Sequence, residues 1–179
     1  MNTHLNPAAL RSPAVTRKEQ LDFIGRVAPA AQQSQRKHGI PASVTIAQCI
    51  LESGWGKRAI GNNYFGIKKG VANVPYVEFT THEYRNGVKQ QESARFRAFP
   101  SLEASVRAHG DLIALGKDRS GKLIYAAAMA AVDDPLVFAM RLKECGYATD
   151  PNYVNTIARL IKQWNLTQYD ERRPKGATA

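Results

Sequence analysis

Several features that would direct the reading elsewhere are missing from this chain of 179 residues. Cysteine occurs twice, at Cys49 and Cys145, which excludes a disulfide framework and shows no metal-ligand spacing. The two thiols are either bridged or free and buried. No run approaches the roughly 18 apolar residues of a membrane-spanning helix. The four histidines, His4, His38, His82 and His109, show no paired metal-ligand spacing, so no metal is expected. Internal repeats are absent. The first residues, Met1-Asn2-Thr3-His4-Leu5-Asn6-Pro7, carry neither the basic start nor the apolar run of a secretory leader. If the substrate lies outside the cytoplasm, delivery by phage lysis or by a secretion apparatus is therefore expected.

What is present is an ordinary globular composition, 44% hydrophobic and 22% charged, in a length suited to one domain with its own core. A net charge of +10 favours an anionic partner such as nucleic acid, acidic lipid or cell wall. The basic residues form no dense block and no nucleic-acid-binding motif accompanies them, so neither nucleic-acid binding nor membrane insertion is expected.

Residues 1–15, with two prolines, and residues 169–179, polar and charged, read as flexible tails around one domain over 16–168. Thr16-Arg17-Lys18-Glu19 has capping-box spacing and leads a helix with Leu21, Ile24, Val27, Ala28 and Ala31 at helical intervals, ending near His38-Gly39. Pro41 opens a second helix over about Ala42 to Glu52 that is apolar on most sides, the pattern of a buried helix. From Val74 to Phe99 the pattern becomes that of a hairpin, with its turn at Asn86-Gly87. Further helices are expected over about Leu102–Leu115, Leu123–Ala131 (alanine-rich), from Asp134-Pro135 to Glu144, and from Asp150-Pro151 onward.

Glu52 falls where the buried helix must end, because Gly54 and Gly56 follow and supply the turn. A carboxylic acid that protonates a leaving oxygen near neutral pH needs a raised pKa, and partial burial is the usual means. Glycosidic cleavage usually calls for a second carboxylate across the bond, for which the hairpin offers Glu78, Glu83 and Glu92. Residue types alone leave alternatives open. A helix-end glutamate can snorkel to solvent or pair with a lysine such as Lys57, and hairpin glutamates are commonly solvated.

Two blocks narrow the choice: Ala47-Gln48-Cys49-Ile50-Leu51-Glu52-Ser53-Gly54-Trp55-Gly56, and then Asn62-Asn63-Tyr64-Phe65-Gly66-Ile67-Lys68. In this order they closely resemble the glucosaminidases of glycoside hydrolase family 73. Thr81-His82-Glu83-Tyr84, Ala94-Arg95-Phe96-Arg97-Ala98-Phe99 and Gly146-Tyr147-Ala148-Thr149-Asp150-Pro151-Asn152-Tyr153 also look like that family, so the resemblance covers roughly Thr16 to Leu166.

The resemblance implies a mainly α (α+β) fold, a lysozyme-like helical lobe with a small β-hairpin lobe and a glycan-binding cleft between them. It implies a bacteriolytic peptidoglycan hydrolase acting at the cell wall on the β-1,4 glycosidic bond, as an endo-β-N-acetylglucosaminidase without a cofactor, and as a monomer. Carried over residue by residue, Glu52 takes the general-acid position, Glu83 the second carboxylate, and Tyr147 a tyrosine that assists catalysis or positions the sugar. Asn63 and Phe65 fall in a segment resembling the glycan-contacting loop. Tyr153 is either a cleft contact or the first core residue of the last helix. Trp55 is assigned to packing, and Cys49, three residues before Glu52, to packing near the acid. A lytic transglycosylase or muramidase on the same scaffold, and a wall-binding module without catalysis, are the rival readings.

Overall fold

The computed structural model describes residues 15–71, 73–85 and 88–171, with side chains throughout except at positions 80–92. Six α-helices and one two-stranded antiparallel sheet account for the described elements: α1 Arg17–His38, α2 Ala42–Ser53, β1 Tyr76–Arg85, β2 Val88–Arg97, α3 Leu102–Leu115, α4 Ala126–Met129, α5 Pro135–Glu144 and α6 Tyr153–Gln163, closed by a 3-10 turn at Leu166–Tyr169. This is the mainly α, lysozyme-like architecture with a small hairpin that the motifs imply.

The capping box at the start of α1 is formed, with Thr16 Oγ1 accepting from the Glu19 N–H and the Glu19 carboxylate accepting from the Thr16 N–H at 2.8 Å. Its far end closes on Gly39 in the left-handed conformation. The helix buries one stripe, Phe23, Ile24, Val27, Ala28 and Ala31, and packs against both α2 and the later helix α3.

Every residue of α2 from Ala42 to Ile50 is buried, and α1, α5, α6 and the 3-10 turn pack around it. A helix enclosed on all sides is a fixed post, and Glu52 stands at its end.

The alanine-rich helix is shorter than its composition predicts, Ala126–Met129 rather than Leu123 to Ala131. The Ile124 N–H bonds back to the Gly116 carbonyl at 2.9 Å and Lys117 bridges to Leu123, so loop closure claims the residues that would have opened the helix. The final helix likewise starts at Tyr153, after an Asp150 side-chain turn that accepts from the Asn152 N–H at 2.8 Å.

Packing also extends beyond Leu166. Gln32 donates to the Tyr169 carbonyl, Gln35 exchanges bonds with the backbone of Glu171, and the Asp170 carboxylate accepts from the Ser43 N–H at 2.7 Å. Residues 169–171 thus dock against α1 and the start of α2 rather than beginning a tail, because their polar atoms complete those of α1 and of the α2 N-terminus. The remainder of the expected C-terminal tail, nearly all of the N-terminal one and the Asn86-Gly87 turn lie outside the described residues.

The hairpin is anchored at its base. Arg97 N donates to Ile67 O, Lys69 N to Arg95 O and Ala98 N to Pro75 O, at 2.8–2.9 Å. Its apolar contribution there is Phe96, buried and edge-on to Phe79 with ring centroids 6.3 Å apart.

Candidate active site

The end of α2 is built by three successive residues in the left-handed region, Gly54 (φ 54°), Trp55 (φ 61°) and Gly56 (φ 79°). Only the middle one carries a side chain, at a cost of roughly 1–2 kcal/mol for an L-residue in that conformation. Its indole offsets this by packing edge-on to Trp164 at 5.2 Å and to Phe23 at 6.2 Å, so Trp55 is a packing residue. A Cβ at Gly56 would meet the Phe23 ring at 2.8 Å, and one at Gly54 the Arg58 guanidinium at 2.6 Å. Ser53 completes the turn, donating to the Cys49 carbonyl and accepting from the Gly56 N–H.

Glu52 is half-buried at this end. Lys57, the lysine that the sequence offers as its partner, reaches Glu19 of α1 at 2.8 Å.

Two phenols stand in the field of the Glu52 carboxylate. Tyr147 is enclosed, and burial first, then Tyr153 and Glu52, raise its pKa well above the ordinary phenol value. Burial likewise dominates at Tyr153, with Glu52 again raising it further. Both hydroxyls therefore keep their protons at any physiological pH. The two rings lie 5.9 Å apart. Each is held by a buried polar side chain: Gln48 Nε2 donates to Tyr153 Oη at 2.8 Å, and His109 Nε2 lies 3.0 Å from Tyr147 Oη. Gln48 is one helical turn before Glu52, which sets Tyr153 beside the acid's own face of α2.

The residues expected in the glycan-contacting loop lie below the surface. Asn63 is 6% exposed, and its amide donates to the carbonyls of Ile67 and Arg97 while its Oδ1 accepts from the Ile67 N–H. One side chain thus ties the loop to itself and to β2. Phe65 is 1% exposed and lies flat on the His109 ring, with centroids 4.0 Å apart. Tyr153 is fully buried as the first residue of α6. All three side chains are thus buried in the framework.

Glu83 stands opposite Gln90 in the register, seven residues beyond Tyr76, about 23 Å along the strand at the usual rise. Its side chain and that of Glu92 lie outside the described residues. Of the hairpin glutamates, Glu78 is committed elsewhere. It accepts from Arg95 at 3.0 Å and from Ser93, and these bonds lower its pKa.

Cys49 is buried and Cys145 half-buried, and both are free thiols. Burial pushes the Cys49 thiol far up, so it is an inert packing residue beneath the acid. No cluster of three or more metal-ligating side chains occurs among the described residues. An open hollow of about 560 Å³ between α1 and the start of α3 is lined by Arg26, Pro29, Gln33, Tyr64 and Leu102 and does not include Glu52.

The sequence points to Glu52 and, through the family resemblance alone, to Tyr147, but not to the polar residues that hold the phenols. A signal for His109 existed: it falls on the stripe Ala104, Ser105, Val106, His109, Gly110 and Ile113, the buried face of α3. Gln48 on the all-buried α2 is the same kind of exception.

A half-buried glutamate ending a buried helix, in a helical lobe joined to a small antiparallel hairpin, defines a lysozyme-like glycosidase domain. The chain belongs to the glucosaminidase family, described as mannosyl-glycoprotein endo-beta-N-acetylglucosaminidase, whose profile matches residues 28–166.

Among curated proteins it is 33% identical over 155 residues to the peptidoglycan hydrolase FlgJ of Pseudomonas aeruginosa, covering 82% of this chain and 37% of FlgJ. It is also 33% identical over 159 residues to the exo-glucosaminidase LytG of Bacillus subtilis, covering 87% of this chain and 55% of LytG. The chain thus spans about a third to a half of the length of these relatives. Among solved structures, the catalytic domain of the autolysin Auto from Listeria monocytogenes superposes with a TM-score of 0.75 at 32% identity, covering 91% of this chain and 92% of that domain.

Proposed function

We propose that this protein is a peptidoglycan hydrolase that cuts the β-1,4 glycosidic bond of the cell-wall glycan as an endo-β-N-acetylglucosaminidase, with Glu52 as general acid. The observation that carries this reading is the family match across residues 28–166, which includes a glutamate at the end of a buried helix beside two buried phenols. As general acid Glu52 gives its proton to the leaving oxygen as the glycosidic bond breaks.

Glu83 is the second carboxylate, activating water or stabilising the positive charge that develops on the sugar ring. Tyr147 assists from beneath the acid. Asn63, Phe65 and Tyr153 serve glycan binding by shaping the surface above them: Asn63 holds the loop to β2, Phe65 supports it from below, and Tyr153 backs α2 beside Glu52.

The protein acts at the cell wall as a monomer, and its +10 charge suits a polymer bearing peptide carboxylates. None of the described helices is long and apolar enough to cross a membrane.

Digestion of purified peptidoglycan, with identification of the new chain ends by mass, tests the reading. New reducing-end N-acetylglucosamine from the interior of long strands is the expected product. Reducing-end N-acetylmuramic acid would make the enzyme a muramidase, an anhydro sugar a lytic transglycosylase, release from chain ends alone an exo-enzyme, and no cleavage a wall-binding module.

A further inference from the structure

His109 lies one residue behind the proposed acid machinery and has no part in it so far. It is fully buried on α3, with its ring stacked on Phe65 at an interplanar angle of 15° and edge-on to Tyr147 at 6.0 Å. Nε2 is 3.0 Å from Tyr147 Oη, whereas Nδ1 has no hydrogen-bond partner among the described residues. Burial, and secondarily His38, hold the imidazole pKa down to about 3, so the ring carries a single proton at neutral pH.

The position of that proton decides what Tyr147 can do. On Nδ1 it would be a buried donor without an acceptor, and Nε2 would take the phenol's proton in a hydrogen bond that leaves Tyr147 nothing to donate. On Nε2 it is donated to the phenol oxygen, and only a lone pair goes unused. A buried orphan N–H is costlier and rarer than an under-used acceptor, which selects the second arrangement. A phenol that accepts from His109 keeps its own proton for another acceptor, and Tyr147 packs 5.9 Å from Tyr153, whose hydroxyl is held by Gln48 one helical turn before Glu52, so the Glu52 carboxylate stands on this side of the phenols.

We infer that His109 is a positioning residue for Tyr147, held as the Nε2–H tautomer so that the Tyr147 hydroxyl proton is turned toward the Glu52 carboxylate. This rests on the proposed role of Glu52. A bond donated to the charged carboxylate stabilises the form left after proton transfer. Glu52 and Cys49 on α2, with Tyr125 and Tyr153, are the other titratable groups bearing on Tyr147, and His38 bears on His109 from the end of α1.

Two measurements test it. Nitrogen NMR of histidine-labelled protein at pH 7 should find His109 neutral and protonated on Nε2; protonation on Nδ1 overturns the inference whether or not the protein is an enzyme. In kinetics, His109→Phe keeps a ring on Phe65 but removes the donor, while His109→Gln returns an amide N–H. His109→Phe should lower kcat about tenfold, the worth of one hydrogen bond, with KM within about twofold, and should move the alkaline limb of the pH profile upward. His109→Gln should recover most of the loss, and adding His109→Phe to Tyr147→Phe should cost nothing further. Losses that multiply in the double variant, or a folded His109→Gln with no recovery and an unmoved limb, overturn the inference. A wild type that does not cut peptidoglycan, or an active Glu52→Gln, defeats the proposed function instead, and the tautomer then decides His109 by itself.

Discussion

Glu52 ends a helix whose residues from Ala42 to Ile50 are all buried and which is packed by four other elements, whereas Glu83 stands on a strand whose described ties to the rest of the molecule are at its base. The helical lobe places its glutamate by long-range packing: α1, α5, α6 and the closing turn all hold α2. The hairpin places its glutamate by a ladder of local pairs, Tyr76 opposite Arg97 through Arg85 opposite Val88, with Phe96 as its buried apolar anchor. Two strands bury little apolar surface, so their geometry is held less firmly than that of a core helix. The proposed pair of carboxylates would then have one fixed member and one that substrate brings into place.

Core truncation should separate the two lobes most widely. Phe138→Ala, at a fully buried position of α5, is expected to cost about 3–5 kcal/mol of unfolding free energy. Phe79→Ala, half-buried in the hairpin, should cost up to about 1 kcal/mol, the worth of a cross-strand pair. Urea denaturation of both variants provides the comparison, and equal losses would show the hairpin to be part of the same core.

Glu52→Gln should lower peptidoglycan cleavage by at least ~100-fold, the usual minimum contribution of a placed acid, with an unchanged melting temperature. A folded variant that clears cell walls at near wild-type rate would remove Glu52 from the mechanism.

The helical lobe should also show an acid-sensitive stability set by its buried histidine. His109 has a folded-state pKa of about 3, below the ordinary value of 6.5, so between those pH values the unfolded chain binds a proton that the folded chain does not. Stability from this group is therefore complete above pH 6.5 and falls as pH drops toward 3, by up to about 1.4 kcal/mol per pH unit. Urea midpoints of wild type and His109→Phe from pH 7 to 4 should diverge in slope, with the variant flatter.

The smallest expected effect belongs to the hairpin. Glu83→Gln should lower kcat about tenfold while leaving KM nearly unchanged, because its proposed interaction exists mainly in the transition state. Weakened glycan binding with normal turnover at saturation would make Glu83 a binding residue.

Much of the helical lobe was legible before any coordinates, because its signals are local. The Thr16–Glu19 box, Gly39, the Asp134-Pro135 start and the Ser101 cap, which accepts from the Ala104 N–H, each act within one turn, and the observed helices begin or end there. Local signals failed where a distant partner claimed the residues. Ile124 is taken by Gly116 and shortens the alanine-rich helix, and Asp170 caps α2 through Ser43.

The same division runs through the site. Sequence by itself determined the end of α2 at the glycines, the placement of Glu52 there, and the membership of Tyr147 in a family motif. Tertiary structure alone decided that Asn63, Phe65 and Tyr153 lie in the framework, that Glu78 is committed to Arg95, and that His109 stands behind Tyr147. The reason is physical: a turn is chosen by the backbone freedom of the residues in it, whereas a buried polar atom's partner is chosen by whichever chain segment packing brings within 3 Å, here across the 38 residues from His109 to Tyr147.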